Sequence, residues 1–280
     1  MRIALLLVVA SVVLALPSHS TVIPSQQLIV GGHLANLTQF PFFAYLELSL
    51  SDEDLSVCGG TILTSKHILT SATCLTNFNF VRSSFAYVGV TNIDAKKRVG
   101  WLVQRREIVE VRMTRNNPET IDNSRFDDIG VVELDTPLEL NEYVRPAIIP
   151  GNDTFLWEKN PRLATVGFGG TECEEIYEER MKKIDDKYIC AGAKGKGISA
   201  GDGGGPLVAH LNGTTYQVGL TAAGFLTYAK DEHPDLYSRL SKFCEFIHYA
   251  TQELHWCVCG TPTGEPGYTP YVPNGRCMTP

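Results

Sequence analysis

The sequence predicts an all-β protein built from barrels or sandwiches, and three observations support that class. Short runs of aromatic, aliphatic and β-branched residues recur along the chain, as at 42–46, 85–90 and 216–220. Glycine, proline and asparagine residues separate these runs, as expected of short strands joined by turns. The chain has 280 residues, which is enough for one large hydrophobic core or two modest ones.

The overall charge disfavours two classes of partner. With 24 basic and 31 acidic residues, the chain carries a formal net charge of −7. Neither nucleic acid nor an anionic membrane is attracted to an acidic surface. We therefore expect no nucleic acid and no membrane among the partners.

The N-terminus has the pattern of an export signal. Arg2 precedes an apolar run from Ile3 to Leu16, and small residues follow it up to Ser20. A basic start, a short apolar stretch and a small-residue cleavage region define a secretory signal peptide, here residues 1–20. The apolar run is too short to cross a bilayer. The alternative is a buried N-terminal helix, but the signal pattern favours a secreted, extracellular protein.

Three glycosylation sequons agree with export. They begin at Asn36, Asn152 and Asn212, and each has threonine at its third position. Asparagine in this motif is the acceptor for N-linked glycans in secreted proteins. Because such motifs also occur by chance, we expect one or two of the three to be used.

Several short motifs occur in an order that identifies a family. They are Ile29-Val30-Gly31-Gly32, Phe40-Pro41-Phe42, Cys58-Gly59-Gly60, Leu69-Thr70-Ser71-Ala72-Thr73-Cys74, Asp128-Ile129, Val144-Arg145-Pro146, Gly167-Phe168-Gly169, Ile189-Cys190-Ala191-Gly192, Gly201-Asp202-Gly203-Gly204-Gly205-Pro206 and Pro234-Asp235-Leu236-Tyr237-Ser238-Arg239. Together they resemble the trypsin-like serine proteases. An unrelated all-β protein would have to match this order by chance. The resemblance implies a domain over 29–255 with two antiparallel β-barrels, at about 29–146 and 147–255, and a C-terminal helix.

The same motifs lack the chemistry of that family. Its nucleophilic serine would stand at Gly203, which has no side chain, and covalent catalysis needs an oxygen or sulfur that a base can activate. Its catalytic histidine would stand at Thr73, whose hydroxyl does not titrate near neutral pH. The third triad position keeps its carboxylate, Asp128. The resemblance therefore predicts a catalytically dead serine protease homologue.

The resemblance also places the oxyanion loop and the specificity pocket. The amides of the oxyanion loop would belong to Gly201 and Gly203. The floor of the pocket would lie at Gly197, where trypsin-like members have an aspartate that pairs with lysine or arginine. Further pocket positions are Ala223, in place of the tryptophan that walls the pocket, and Gly224, while Ala222 replaces a serine. We expect a pocket that has lost its usual recognition groups.

The resemblance implies an activation step by cleavage before Ile29. The new α-amino group would fold inward and pair with Asp202, and residues 21–28 would be a short pro-segment. The residue before the cut is Leu28, which a trypsin-like activator would not accept. A protease that favours large apolar residues would be needed, and whether cleavage occurs stays open.

Eight cysteines in an exported chain predict disulfide bonds. By resemblance to the family, Cys58 pairs with Cys74 and Cys173 pairs with Cys190. The remaining four are Cys244, Cys257, Cys259 and Cys277, which allow two bridges in three pairings. The family's third common bridge is absent, because Ser199 occupies one of its positions.

The second barrel is predicted to be shortened. Only three residues, 170–172, separate Gly169 from Cys173, where the family has a further loop and strand. An open barrel would expose unpaired backbone groups. Either the acidic segment 174–186 covers the gap, or the gene model that gives this sequence has lost an exon. The two explanations stay open.

The C-terminal region comprises a helix and a tail. Apolar residues recur at helical spacing between Lys242 and His255, which matches the closing helix of the family. The tail, 256–280, is rich in cysteine, proline and glycine and has too few aliphatic residues for a core. Its cysteines with His255 could suggest zinc, but export favours disulfides. We expect no metal and no cofactor.

The sequence thus predicts a secreted homologue of serine proteases that is not an enzyme. By resemblance to such homologues, it would act by protein binding as a cofactor, decoy or scaffold in extracellular proteolysis. Its partner would be an extracellular protein, either a protease or the substrate of one. One alternative is an active serine endopeptidase, which family membership would suggest. Another is a small-molecule or metal-binding role centred on the tail.

Overall fold

The structure of the protein is a computed structural model. The described residues are 35–50, 54–76, 83–90, 102–114, 127–159, 161–165, 186–192, 197–198, 201–222, 235–252, 254–255, 257–259, 271–272 and 276–277. Strands make up most of the assigned structure, and the helices are short. Among the described residues, no helix is long and apolar enough to span a membrane.

The first half of the chain forms a closed antiparallel barrel. Its strands are β1 Phe43–Ser49, β2 Leu55–Ile62, β3 His67–Thr70, β4 Phe85–Val88, β5 Gln104–Met113 and β6 Gly130–Leu134. They follow one another around the barrel in the order β1-β2-β3-β6-β5-β4. A four-residue helix, α1 (Ala72–Leu75), follows β3. Closure leaves no barrel edge unpaired, so this half is a rigid base for the segments that leave it.

Among the described residues, the second half forms an open antiparallel sheet of five strands. After β7 (Pro150–Asn152) and the short helix α2 (Thr154–Trp157), the strands are β8 Arg162–Thr165, β9 Tyr188–Ala191, β10 Pro206–Leu211, β11 Thr214–Thr221 and β12 Asp235–Arg239. Their order is β8-β10-β11-β12-β9. The predicted all-β class with a closed barrel and a shortened second one is confirmed. Residues 166–185, which include the interval where the family has a further strand, are outside the described residues.

Buried apolar side chains form three main clusters that correspond to the architecture. One fills the closed barrel and includes Leu46, Ile62, Ile68, Val88, Val132 and Leu134. A second joins the barrel to the C-terminal helix and includes Leu69, Ile129, Ile149, Leu220, Ile247 and Cys257. A third underlies the open sheet and includes Leu207, Val218, Ile189, Ile198, Tyr216 and Tyr237. The second cluster contains residues of both halves and helps to hold them against each other.

The C-terminal helix is shorter than its apolar pattern predicts. After a 3-10 turn (Leu240–Lys242), α3 covers Cys244–Ala250. The chain leaves the helix because Gln252 takes a positive φ of 54°, which an α-helix does not allow. Leu254 therefore lies off the helix and is 64% exposed, although its spacing suggested a buried position.

The start of the tail is fastened to the domain. A disulfide joins Cys244 to Cys257, and Cys257 is buried in the cluster between the halves. The next residues form β13 (Val258–Cys259), which pairs in parallel with β7. Farther on, β14 (Tyr271–Val272) and β15 (Arg276–Cys277) form a small antiparallel pair. Up to Cys259, the tail is therefore attached to the domain by a disulfide and by strand pairing.

Candidate functional site

Backbone hydrogen bonds hold the glycine run between the two halves of the molecule. The Gly59 amide on β2 donates to the carbonyl of Gly203 at 2.8 Å. On the other side, the Gly204 amide donates to the Thr221 carbonyl at 2.9 Å, and the Thr221 amide donates to the Gly205 carbonyl at 2.8 Å. The run is therefore fixed by main-chain groups of both halves, and its path does not depend on a side chain at position 203.

The two neighbouring glycines of the run differ in the space around them. A Cβ atom on Gly203 would meet the Cys74 sulfur at 3.5 Å and the Ser71 hydroxyl oxygen at 3.9 Å, which are ordinary contacts. A Cβ atom on Gly204 would overlap the Thr70 hydroxyl and lie 2.6 Å from the Gly59 carbonyl oxygen. Gly204 also has a φ of +77°, which side chains other than glycine rarely adopt. Of these two glycines, Gly204 is the one that the fold requires.

Thr73, the position at which the family has its catalytic histidine, lies on helix α1, next to the glycine run. Ser71 caps this helix by accepting a hydrogen bond from the Cys74 amide at 3.3 Å. A disulfide joins Cys74 to Cys58 on β2, and this pair lies against Gly203. Thr73 is exposed on the same turn. The helix thus presents a hydroxyl where the family presents imidazole.

Asp128 is held by the backbone of that helix. Its carboxylate oxygen Oδ1 accepts a hydrogen bond from the Thr73 amide at 2.6 Å, and the residue is only 6% exposed. Thr73 and Asp128 are therefore in contact through the main chain of Thr73. The structure brings the three family positions Thr73, Asp128 and Gly203 to one place, since Gly203 packs against Cys74.

Replacing Asp128 with asparagine should lower the free energy of unfolding by about 1–3 kcal/mol, because a buried charge-assisted hydrogen bond becomes a weaker neutral one. A urea titration measures the effect. Asp127→Asn is the matched control: Asp127 is half-exposed and pairs with Lys187 at 3.0 Å, and such surface pairs contribute at most about 1 kcal/mol. An Asp128→Asn midpoint equal to that of the unmodified chain would rule out a structural role for the carboxylate.

Only one partner of the predicted N-terminal ion pair, Asp202, lies among the described residues. Asp202 is 2% exposed, and its carbonyl accepts a hydrogen bond from the Gly205 amide at 3.0 Å. Ile29 lies outside the described residues. The pairing of Ile29 with Asp202 after cleavage therefore stays a prediction.

The pocket region contains a carboxylate that sequence reasoning missed. Gly197 is buried, and the side chain of Ile198 packs into the core of the open sheet. The Ile198 amide donates to Oδ2 of Asp235, the first residue of β12, at 2.8 Å. Burial raises the pKa of Asp235 to about 6. Ala223 and Gly224 lie outside the described residues.

A buried histidine ties the end of the domain to the closed barrel. The ring Nδ1 of His255 lies 2.8 Å from the Leu63 carbonyl oxygen, which requires a proton on that nitrogen. Its main-chain amide donates to the Thr251 hydroxyl at 3.1 Å. Burial lowers the pKa of His255 to about 4. This histidine is thus a neutral structural residue at physiological pH.

The remaining predicted positions are partly described. The three sequon residues Asn36, Asn152 and Asn212 are all exposed, as glycosylation requires. Cys244 is joined to Cys257, which is one of the pairings expected for the last four cysteines; a second bridge between Cys259 and Cys277 stays a prediction. Cys173 lies outside the described residues, so its pairing with Cys190 stays a prediction. Among the residues that the structure describes, no group of three side chains is arranged to hold a metal ion.

A closed six-stranded barrel, a second antiparallel sheet and a glycine run between them define the chymotrypsin-like class of protein. Residues 29–247 match the sequence model of the trypsin family. The chain belongs to the trypsin family. It is also 26% identical over 255 residues to phenoloxidase-activating factor 3 of Holotrichia diomphalia, with 78% of this chain and 71% of that protein covered. The name of that relative describes an activator of phenoloxidase.

Proposed function

We propose that this chain is a secreted serine protease homologue that cleaves no peptide bond and acts by binding proteins. One observation carries the proposal. The glycine run that should bear the nucleophile is held in place by backbone hydrogen bonds to Gly59 and Thr221, yet Gly203 offers no nucleophilic atom. Main-chain groups maintain the shape of the site, while the chemistry is absent.

No histidine is among the described side chains nearest to Gly203, which are those of Cys74, Ser71 and Cys58. The carboxylate of Asp128 accepts a hydrogen bond from the Thr73 amide, and a threonine hydroxyl cannot accept and return a proton near neutral pH. The four described histidines have hydrogen-bond contacts to other partners. His67 contacts Thr64, His210 contacts Thr215, His248 contacts the His255 carbonyl, and His255 contacts the Leu63 carbonyl.

The cellular role we propose is that of a cofactor, decoy or scaffold in extracellular proteolysis. The export signal predicted for residues 1–20 and the three exposed sequons support an extracellular site of action. The activator named among the relatives supports a role in which a family member promotes the activation of another protein. Because the chain is a protease homologue, we expect its partner to be a protease or the substrate of a protease.

The second candidate function is that of a serine-type endopeptidase. Membership of the trypsin family favours it. Covalent catalysis would then need an oxygen or sulfur nucleophile near Gly203, and the nearest side-chain atoms there are the disulfide sulfurs of Cys74 and Cys58 and the Ser71 hydroxyl. The hydroxyl of Ser71 accepts a hydrogen bond as the cap of α1, and a disulfide sulfur carries no thiolate. The binding role is therefore favoured.

The purified protein is expected to hydrolyse no peptide above background. In another serine protease scaffold, removal of the triad lowers kcat by about 10⁶, and here both nucleophile and base are replaced. The measurement is incubation with fluorogenic peptides that vary in the residue before the cleaved bond, with an active trypsin-family enzyme as the positive control. The protein is assayed before and after cleavage at Leu28. Turnover that a serine-directed inhibitor abolishes would contradict the proposal and establish the endopeptidase.

A further inference from the structure

The Cys58–Cys74 disulfide lies against the position where the nucleophile is missing. A Cβ atom on Gly203 would have the two disulfide sulfurs among its three nearest neighbours, Cys74 Sγ at 3.5 Å and Cys58 Sγ at 4.0 Å. Any side chain at position 203 would therefore begin on the disulfide. Residue 203 is partly exposed, and as a glycine it contributes no side chain to cover this side of the sulfurs.

The second disulfide of the described residues is more deeply enclosed. Cys244 and Cys257 are 3% and 2% exposed, and both belong to the apolar cluster between the halves. Cys58 and Cys74 are 6% and 8% exposed, and Thr73, next to Cys74, is exposed. The rate at which a thiol opens a disulfide depends on access to the sulfur. The two disulfides of this molecule therefore differ in the property that controls their reaction with thiols.

A hydroxyl group favours one of the two sulfurs as the leaving group. The Ser71 hydroxyl donates a hydrogen bond to Cys74 Sγ at 3.1 Å, and Ser71 is only 1% exposed. A hydrogen bond to a thiolate stabilises its charge and lowers the pKa of the thiol. In thiol–disulfide exchange, the sulfur whose thiol has the lower pKa leaves faster. The geometry therefore makes Cys74 the leaving sulfur and Cys58 the sulfur that is attacked.

We propose that Cys58 is a site of thiol addition, at which an external thiolate forms a mixed disulfide beside Gly203. The attacking thiol first gives its proton to water. Its sulfur then bonds to Cys58 Sγ, the Cys58–Cys74 bond breaks, and the electron pair of that bond leaves on Cys74 as a thiolate that the Ser71 hydroxyl stabilises. The incoming thiol is oxidised and Cys74 is reduced, so the step needs no other oxidant.

The ligand class is a thiol, which either a small molecule or a cysteine of a partner protein can supply. With a partner's cysteine, the mixed disulfide would attach that protein covalently at the position where the family has its nucleophile. The inference thus goes beyond the proposed binding role. It depends on the empty position at Gly203 and on the Ser71 hydrogen bond, and it holds for any binding partner that carries an accessible thiol.

Mass spectrometry of the full chain after treatment with thiols tests the inference. The folded protein is incubated with reduced glutathione or with a short cysteine-containing peptide, and the reaction is stopped with an alkylating reagent. We expect the adduct on Cys58 and the alkyl group on Cys74, at a rate at least about tenfold above the opening of Cys244–Cys257. An adduct with glutathione alone would assign the site to small thiols, and an adduct with both reagents would extend it to protein cysteines.

Variants at two positions test the two features on which the inference depends. Gly203→Leu should slow adduct formation at least about tenfold, because the new side chain would cover the sulfurs. Thr215→Leu, which adds a similar side chain in the β10–β11 hairpin, should leave the rate unchanged. Ser71→Ala should also lower the rate, and Ser71→Thr should restore it because threonine keeps the hydroxyl.

Three results would overturn the inference. The first is an equal rate of opening at the two disulfides of the unmodified chain, which would mean that thiols react only after unfolding. The second is an adduct on Cys74 in place of Cys58. The third is a folded Gly203→Leu variant that reacts as fast as the unmodified chain. The first two measurements need no substitution, so they decide the inference even where a variant does not fold.

Discussion

Replacing Gly204 with alanine should lower the free energy of unfolding by about 2–5 kcal/mol, because a left-handed backbone and a steric overlap are both forced on the new side chain. The φ of Gly204 is +77°. The added methyl would lie 2.6 Å from the Gly59 carbonyl oxygen and 2.9 Å from the Ser71 amide nitrogen. Both are backbone atoms that cannot rotate away. Urea unfolding of the purified variant measures the loss as a lower midpoint.

Gly203→Ala is the matched control for that experiment. The new Cβ would meet its nearest neighbour, the Cys74 sulfur, at 3.5 Å. A glycine that adopts an ordinary backbone conformation can be replaced by alanine with a change of less than about 1 kcal/mol, often stabilising. If both variants lose stability to the same extent, the difference in space between the two positions is not real.

Acid should destabilise the protein through His255 by up to about 3 kcal/mol between pH 6.5 and pH 4. Burial lowers the pKa of His255 from 6.5 to about 4. The unfolded chain therefore takes up a proton in this window and the folded chain does not, so stability falls as the pH falls. Burial also lowers the pKa of His67, which adds to the effect in the same direction. The measurement is the urea midpoint as a function of pH.

Two variants show whether His255 is the source of the acid effect. His255→Asn keeps a donor that can reach the Leu63 carbonyl and removes the titration, so its stability should vary less between pH 6.5 and pH 4. His210→Asn alters an exposed histidine on β10 and should leave the pH dependence unchanged. A pH dependence in His255→Asn as steep as in the unmodified chain would assign the effect to other groups.

Much of the fold and part of the site could be predicted from the sequence, because short motifs report local requirements. The glycine run and the two cysteine segments specify tight backbone contacts and a disulfide, and the structure has both at Gly204 and at Cys58–Cys74. The resemblance also assigned Thr73 and Asp128 to two positions of one catalytic triad. The bond between them runs from the Thr73 amide, which depends on the exact path of the chain around α1.

The hydrogen bond between Asp235 and Ile198 could not be predicted, because it depends on which strands become neighbours. Asp235 and Ile198 are distant in sequence, and they meet only because β12 lies beside β9 in the open sheet. The sequence prediction considered only the expected pocket floor, Gly197. It therefore predicted a pocket without a charged residue. The predicted end of α3 was wrong for a local reason. The apolar spacing continues to Leu254, but the backbone turns at Gln252.

The pairing of β13 with β7 also sets the order of events when the chain is made. Val258 pairs with Pro150, and Cys257 belongs to the same buried cluster as Ile149. Synthesis begins at the N-terminus, and contacts between residues far apart in sequence form late because a long loop must close first. This cluster therefore stays incomplete until the tail has left the ribosome. A chain that stopped at the end of α3 would never cover that apolar surface and would remain open to aggregation.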